Sequence, residues 1–179
     1  KEPSGSIELS VDNPVLSIMH LDQASGRLRL SRNVLEIDSM ALSGAGTVST
    51  VRGSVPLALL EEGRPEALEN QPVSLSIRFN SFPLTALRTK TVPFAAGRID
   101  GDLEVRGTPD QPSVSGKISL SAGEGLIAPI NTRLQNMNGQ LELNGGALVL
   151  RELTSSSPEG KLKASGRIAL DGFRPDSLD

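Results

Sequence analysis

Charged and apolar residues alternate along much of the chain. From position 98 to position 106, every even residue is ionic and every odd residue is apolar or glycine. The same alternation occurs at residues 27–30, 117–120, 140–143 and 161–164. A period of two places successive side chains on opposite faces of a β-strand. The pattern therefore predicts strands that have one polar and one apolar face.

Strands are predicted over nearly the whole chain, separated by turn signals rich in Gly, Pro, Asn and Asp. The predicted strands are 6–11, 15–21, 26–30, 34–42, 47–59, 73–79, 97–107, 113–121, 125–130, 134–143, 147–154 and 161–170. Their short spacing favours antiparallel hairpins, because a parallel crossover needs about a dozen residues or more. Residues 59–70 and 82–94 interrupt the series, and we expect both to form short helical caps at an end of the sheet.

These patterns predict an all-β fold with a long, twisted antiparallel sheet, and the internal repeat together with a family resemblance favours a sheet that curls into an open trough with an aliphatic interior. On the alternation alone, a closed β-sandwich or barrel is favoured, since the same alternation would fill an ordinary core. We expect sixteen residues to line the concave face: Leu28, Leu30, Leu35, Ile37, Val55, Leu57, Leu103, Val105, Ile118, Leu120, Leu141, Leu143, Leu148, Leu150, Ile168 and Leu170. We expect eight charged residues to point outward: Arg27, Arg29, Asp102, Glu104, Lys117, Glu142, Lys161 and Lys163.

The chain also contains an internal similarity between an early and a late segment. Residues 21–57 align with residues 134–170 without a gap, and eight positions are identical. The matches keep both the alternation and the spacing of the glycines. We interpret the two segments as parts of successive repeat units, with residues 73–130 completing the first unit. We therefore expect residues 1–179 to be one fragment of a longer, elongated array.

Composition limits the possible functions. The net charge is −3, which gives no electrostatic basis for binding nucleic acid. Four Phe, without Tyr or Trp, leave almost no surface on which bases or sugars could stack. The absence of Cys excludes a disulfide framework, thiolate metal sites and a cysteine nucleophile. The apolar face is aliphatic, and the question of function becomes what covers it.

Candidate catalytic residues do not form a set. His20 is the single histidine and has no predicted partners for acid–base chemistry. Three carboxylates share one strand face, where two arginines flank them: Asp100, Asp102 and Glu104, with Arg98 and Arg106. A self-neutralised, solvated face is the better interpretation. Residues 123–128 match a loose dinucleotide fingerprint, but Pro129 opposes the helix that this motif requires. We expect no enzymatic activity, metal or cofactor.

In one segment, a strand at residues 101–106 leads into Gly107-Thr108-Pro109, and Pro112 precedes the next strand. This segment resembles a recurrent pattern of the TamB family. The spaced residues Gly139-x-Leu141-x-Leu143 and Leu75-x-Ile77-x-Phe79 are also similar to that family. The resemblance covers most of the chain from about residue 21 onward.

This resemblance implies a periplasmic portion of a protein that is anchored in the inner membrane of a Gram-negative-type envelope. Its trough would carry phospholipid acyl chains toward the outer membrane, or would hold unfolded segments of outer-membrane proteins during their assembly. A TamA-like outer-membrane barrel is the implied partner of the full-length protein. The alternative is a closed sandwich or a passive structural β-repeat of the cell envelope, without lipid transport.

Overall fold

The computed structural model describes residues 4–16, 19–44, 47–57, 71–86, 95–108, 111–127, 132–157, 160–171 and 174–175. Thirteen strands occur in this part of the chain. They are β1 (Ser4–Asp12), β2 (Val15–Leu16), β3 (Met19–His20), β4 (Gln23–Ser31), β5 (Val34–Gly44), β6 (Thr47–Pro56), β7 (Val73–Pro83), β8 (Ala95–Gly107), β9 (Pro112–Ile127), β10 (Thr132–Asn144), β11 (Ala147–Ser157), β12 (Gly160–Asp171) and β13 (Arg174–Pro175). A 3-10 turn at Leu84–Ala86 follows β7, and the described residues contain no α-helix.

Eleven of these strands form one antiparallel sheet. Their order is β1-β4-β5-β6-β7-β8-β9-β10-β11-β12-β13, so each strand pairs with its neighbours along the chain. Only the small β2-β3 hairpin lies outside this order. Because β1 and β13 are not paired with each other, the sheet is open. The predicted all-β fold with an open, aliphatic trough is confirmed, and the described strands do not form a closed sandwich or barrel.

The structure differs from the predicted elements at two places. The predicted strand at residues 15–21 is instead a tight hairpin, in which Val15 pairs with His20. The strand predicted at residues 113–121 and the described part of the one predicted at residues 125–130 belong to a single strand, β9; residues 128–130 lie outside the described residues. Of the two predicted caps, residues 59–70 and 87–94 lie outside the described residues. The described part of the second one consists of the end of β7 and the 3-10 turn.

A line of β-bulges crosses four adjacent strands. Ser81 in β7, Ala122 in β9 and Asn136 in β10 each have φ near +50°, and Gly97 in β8 has φ of +118°. The pairing register shifts at each of these places. A bulge bends its strand and increases the local twist. The bulges therefore bend and twist the sheet where they occur, and the sequence alternation alone does not predict them.

The polar face supports these bulges with hydrogen bonds. The Ser81 backbone N–H donates to Asp100 Oδ1 at 2.7 Å. The Ala122 backbone N–H donates to Asn138 Oδ1 at 3.3 Å, and Asn138 Nδ2 donates to the carbonyl oxygen of Asn136 at 3.0 Å. Side chains thus satisfy backbone groups that the bends free from the ladder.

Glycines allow the strands to approach closely on the apolar face of the sheet. Gly53 lies opposite Leu75, and Gly116 lies opposite Leu103. Both glycines have φ of +139°, a conformation that residues with a side chain rarely adopt. A Cβ at either position would overlap a carbonyl oxygen of the neighbouring strand. Both the backbone conformation and the lack of space therefore require glycine at these positions.

The two segments that align in sequence have matching structures. β5 and β11 each contain eleven residues, and their first residues, Val34 and Ala147, correspond in the alignment. The register shifts between Arg27 and Leu28 and between Gln140 and Leu141, which also correspond. That the two segments are units of a longer repeat, with the divisions 21–57, 73–130 and 134–170, stays a prediction.

A compact core occupies one end of the apolar face. Phe82 is only 1 % exposed and packs with three other buried residues of β4, β5 and the segment before them: Leu21, Ala24 and Leu42. The ring of Phe79 contacts that of Phe82 edge to face, with centroids 5.9 Å apart. Phe82 reaches this cluster because the bulge at Ser81 returns it to the apolar face, opposite Ile99.

Candidate functional site

The apolar face of the sheet brings most of the predicted lining residues together. Directly paired residues of antiparallel strands lie on the same face. The pairs formed within the predicted set are Leu28 with Ile37, Leu30 with Leu35, Leu35 with Val55, Ile118 with Leu141, Leu141 with Leu150, Leu143 with Leu148, and Leu148 with Ile168. One continuous face therefore runs from β4 to β12.

The residues between β5 and β9 complete this face. Ile37 is paired with Gly53, Gly53 with Leu75, and Leu75 with Val105. Leu103 is paired with Ile77, and Leu120 is paired with Ile99. These pairs join the two halves of the predicted set across β6, β7 and β8.

The last two predicted residues lie at strand ends. Leu57 follows β6, and its backbone N–H donates to the carbonyl oxygen of Asn33 at 2.8 Å. Leu170 lies opposite Pro175 in the short β12-β13 pair, and its N–H donates to the carbonyl oxygen of Gly146 at 2.9 Å. They are therefore at the margins of the face. Contact of the sixteen residues with a ligand stays a prediction.

The predicted lining set omits several residues of the same face. Met40 and Val51 face each other, as do Ile77 and Leu103. Met40 was left out of the predicted set because it lies three positions after Ile37. A bulge between the two residues places them on the same face despite this odd spacing. Ile77 could have been predicted from the sequence, because it lies in the regular alternation of apolar and polar residues in β7.

The apolar face is not covered by a second layer of the described chain. All sixteen predicted lining residues are only half-buried. Among the described residues, those that are buried and apolar are few: Leu21, Ala24, Leu42, Pro56, Phe82, Val114, Leu134 and Ala147. Leu162 on β12 is even 43 % exposed. The face is thus a broad aliphatic surface that is open to an occupant.

Ionic residues cover the opposite face in rows of alternating charge. Arg78, Asp102, Lys117 and Glu142 follow one another on four adjacent strands. The shortest contact in this row joins Arg78 Nε to Asp102 Oδ1 at 2.6 Å. Exposed pairs of this kind contribute little stability, but opposite charges at paired positions favour the correct register. The row therefore helps to keep the aliphatic residues on the other face.

The remaining predicted outward residues also belong to this face. Arg27 contacts Glu8 at 2.6 Å, Arg29 contacts Asp38 at 2.6 Å, and Lys163 contacts Glu152 at 2.9 Å. Lys161 is paired with Ser156.

The three candidate carboxylates have structural partners. Asp102 pairs with Arg78, and Glu104 contacts Arg106 at 2.8 Å. Asp100 accepts the backbone hydrogen bond of the bulged Ser81. The cation that contacts Asp102 is thus Arg78 of the neighbouring strand β7, and not Arg98, which flanks the carboxylates in the sequence.

Other motifs carry no assembled chemistry in the described chain. The side chain of His20 lies outside the described residues. Gly123 and Gly125 lie within β9, where the loose dinucleotide fingerprint would need a helix. In the part of the chain that the structure describes, no group of three or more His, Asp or Glu could hold a metal ion. No helix in that part has the length and hydrophobicity of a membrane span.

The stability that Glu142 contributes on this polar face depends on pH. A hydrogen bond from Arg151, together with its positive charge, lowers the pKa of Glu142 below its ordinary value. The carboxylate therefore adds stability above its unfolded-state pKa, and this contribution is lost as the pH falls through its folded-state pKa. We expect acidification from pH 7 to pH 3 to lower the melting temperature more in the wild type than in Glu142→Gln. Thermal unfolding at both pH values measures the difference.

High salt provides the control for this prediction. The Arg151 and Glu142 side chains are exposed enough for ions to screen them, so 1 M NaCl should shrink the difference between the two proteins. An unchanged difference in 1 M NaCl would show that another interaction of Glu142 is responsible.

The sequence was compared with known proteins. A family model described as the TamB C-terminal domain matches residues 37–178, which is well over half of the chain. The comparison with curated proteins found no match, and the comparison with solved structures found none either.

Proposed function

Because the chain belongs to the TamB family, we propose that its open apolar face holds phospholipid acyl chains and forms a segment of a hydrophobic groove between the two membranes. Family membership gives the coarser assignment, which is a cell-envelope location and a general role in lipid transport or outer-membrane protein assembly. The finer proposal places the segment in the periplasm, in a protein anchored in the inner membrane. A TamA-like barrel is the proposed partner of the full-length protein.

One observation carries the proposal. The sixteen predicted lining residues are aliphatic and only half-buried. The core around Phe82 occupies only one end of the same face. A passive structural sheet would gain nothing from leaving such a surface exposed to water, whereas a lipid groove requires it.

The energetics agree with this role. An acyl chain of about sixteen carbons gains on the order of 10 kcal/mol on leaving water, at roughly 0.8 kcal/mol per methylene group. A carrier must give the acyl chain an apolar environment along its whole path, without directional bonds. A surface of Leu, Ile and Val does so, and it holds no single position of the chain more tightly than the next. The proposed role is therefore binding and passage of lipid, without catalysis.

We expect Leu141→Asp to reduce the phospholipid that co-purifies with the protein several-fold while the sheet stays folded. The new carboxylate would face the acyl chains, which costs about 2 kcal/mol or more. Because Leu141 is half-buried, the charge can still be hydrated in the free protein. Mass spectrometry measures the bound lipid, and circular dichroism with thermal unfolding measures the fold.

Gln140→Asp is the matched control, because Gln140 is the neighbouring residue on the polar face, opposite Ser119. We expect this variant to retain its lipid. Equal lipid loss in both variants would count against the proposed face. Collapse of the Leu141→Asp fold would instead show that Leu141 belongs to a closed core.

A further inference from the structure

The pairing between β6 and β7 ends before the two strands do. Thr50 is paired with Arg78, and no pair of these two strands lies closer to the start of β6 in the described chain. β6 begins earlier, at Thr47, and β7 continues to Pro83. On the polar face, a cleft of about 510 Å³ lies at this place, and we call it the β6–β7 cleft. Its volume lies within the usual range of small-molecule sites.

Two arginines and two hydroxyl groups form a square in the β6–β7 cleft. Thr50 is paired with Arg78, and Arg52 is paired with Ser76. All four residues line the cleft. The arginines occupy one diagonal of the square, and diagonal neighbours on antiparallel strands are about 7–8 Å apart. Two guanidinium groups and two hydroxyls can therefore donate hydrogen bonds to one group held between them.

Both arginines keep hydrogen-bond donors for a ligand. Among the described residues, Arg52 has no ion-pair or hydrogen-bond partner. Asp38 lies in the β5 bulge beside Arg52, but it accepts its hydrogen bonds from Arg29. Arg78 donates to Asp102 Oδ1 through Nε at 2.6 Å, and its two terminal nitrogens have no partner in the described chain. The positive charge of Arg52 is therefore not matched by a carboxylate contact.

A second cleft on the same face shows what this arrangement lacks. It has a volume of about 550 Å³ and is lined by Lys117, Glu142 and Arg151. Arg151 Nε donates to Glu142 Oε2 at 2.9 Å, and Lys117 is paired with Glu142. The chain thus places its own carboxylate between the two cations of that cleft. In the β6–β7 cleft, hydroxyls stand between the two arginines instead.

We infer that the β6–β7 cleft binds a phosphate ester of a small polyol, with the phosphate group between Arg52 and Arg78. A tetrahedral phosphate accepts hydrogen bonds from several directions, and arginine matches its geometry well. The two carboxylates of the cleft, Asp100 and Asp102, both belong to β8, away from Arg52. This inference does not depend on lipid occupying the apolar face, because the cleft lies on the opposite face.

The rest of the cleft fits the hydroxyl groups of a polyol. The cleft is much larger than a phosphate ion and extends to Asn80 and Asp100. Asp100 Oδ1 accepts the hydrogen bond of the Ser81 backbone N–H, which fixes the carboxylate at the bulge. Its second oxygen can accept a hydrogen bond from a ligand hydroxyl, and the Asn80 amide can donate one.

Isothermal titration calorimetry with glycerol 3-phosphate tests the phosphate position. We expect Arg52→Gln to weaken the affinity at least about tenfold, since a charge-assisted hydrogen bond is lost. The fold should be unaffected, because the Arg52 side chain is exposed. Arg151→Gln in the second cleft is the matched control and should leave the affinity unchanged. Absence of binding to the wild type, or equal losses in both variants, would overturn the inference.

Inorganic phosphate tests the polyol position. We expect the wild type to bind glycerol 3-phosphate several-fold more tightly than inorganic phosphate. Asn80→Ala should remove most of this preference and leave the affinity for inorganic phosphate unchanged, because Asn80 is assigned to the polyol. Equal affinities of the wild type for the two probes would contradict a polyol ester as the ligand.

Vesicles of phosphatidylglycerol distinguish a soluble ester from a lipid headgroup of the same chemistry. Binding of soluble glycerol 3-phosphate that Arg52→Gln weakens would support a free ester. Vesicle binding that Arg52→Gln weakens, without binding of the soluble ester, would support the phosphate site and assign it to a headgroup. Vesicle binding that is equal in the wild type and Arg52→Gln, without binding of the soluble ester, would contradict the site.

Discussion

Gly116→Ala is expected to lower the free energy of unfolding by about 3 kcal/mol. The new Cβ would overlap the carbonyl oxygen of Asp102 and would lie 2.9 Å from Leu103 Cα. The φ of +139° adds backbone strain, which costs on the order of 1–3 kcal/mol by itself. The rigid backbone of β8 cannot yield as a flexible side chain could. Urea denaturation followed by circular dichroism measures the loss.

Gly166→Ala is the control, because Gly166 also lies on the apolar face, opposite Leu150. Its Cβ would meet nothing within 4 Å, and no strained φ is present. Alanine there should change the unfolding free energy by less than about 1 kcal/mol. Similar losses at both positions would show that the close strand approach at Gly116 does not shape the sheet.

Phe82→Ala is expected to cost about 3–5 kcal/mol, the usual range for truncation of a buried phenylalanine. Phe82 is 1 % exposed and lies at the centre of the core formed with Leu21 and Leu42. Its removal also ends the edge-to-face contact with Phe79. Chemical denaturation measures the change. Loss of this core should loosen the end of the trough where β4, β5 and β7 meet.

The matched truncation is Ile7→Ala on the apolar face of the edge strand β1. Ile7 is 54 % exposed, so the expected cost is about 1 kcal/mol or less. The contrast reflects the two parts of the apolar face, one packed and one open. A loss at Ile7 as large as that at Phe82 would mean that the open part is covered in solution.

The regular strands could be predicted from the sequence because their alternation is uninterrupted. In β7 and β8, the apolar residues Leu75 and Val105 face each other without any shift in register. Asp102 and Lys117, which are paired across β8 and β9, both lie on the polar face that the same period of two predicts. The side-chain pattern thus predicts both the strands and the face of the sheet on which each side chain lies.

The bulges could not be predicted, and most errors follow from them. A shift of one residue moves every later side chain to the opposite face. Phe82 is an example. It lies three positions after Phe79, so a regular alternation would place the two rings on opposite faces, but the bulge at Ser81 turns Phe82 into the core. The backbone conformation of Ser81 and Ala122 depends on hydrogen bonds to other strands, which no local pattern reveals. The hairpin of β2 and β3 was missed because its apolar residues resemble one short strand.

Photo-crosslinking at a pair of neighbouring residues can show whether lipid lies on the open apolar face. Leu103 and Glu104 are neighbours in β8 that project to opposite faces, the first paired with Gly116 and the second with Ser115. A photoreactive amino acid at each position, in the protein within the cell envelope, reports what touches each face. We expect phospholipid adducts at position 103 and almost none at position 104. Equal capture at both positions, or no lipid at position 103, would contradict it.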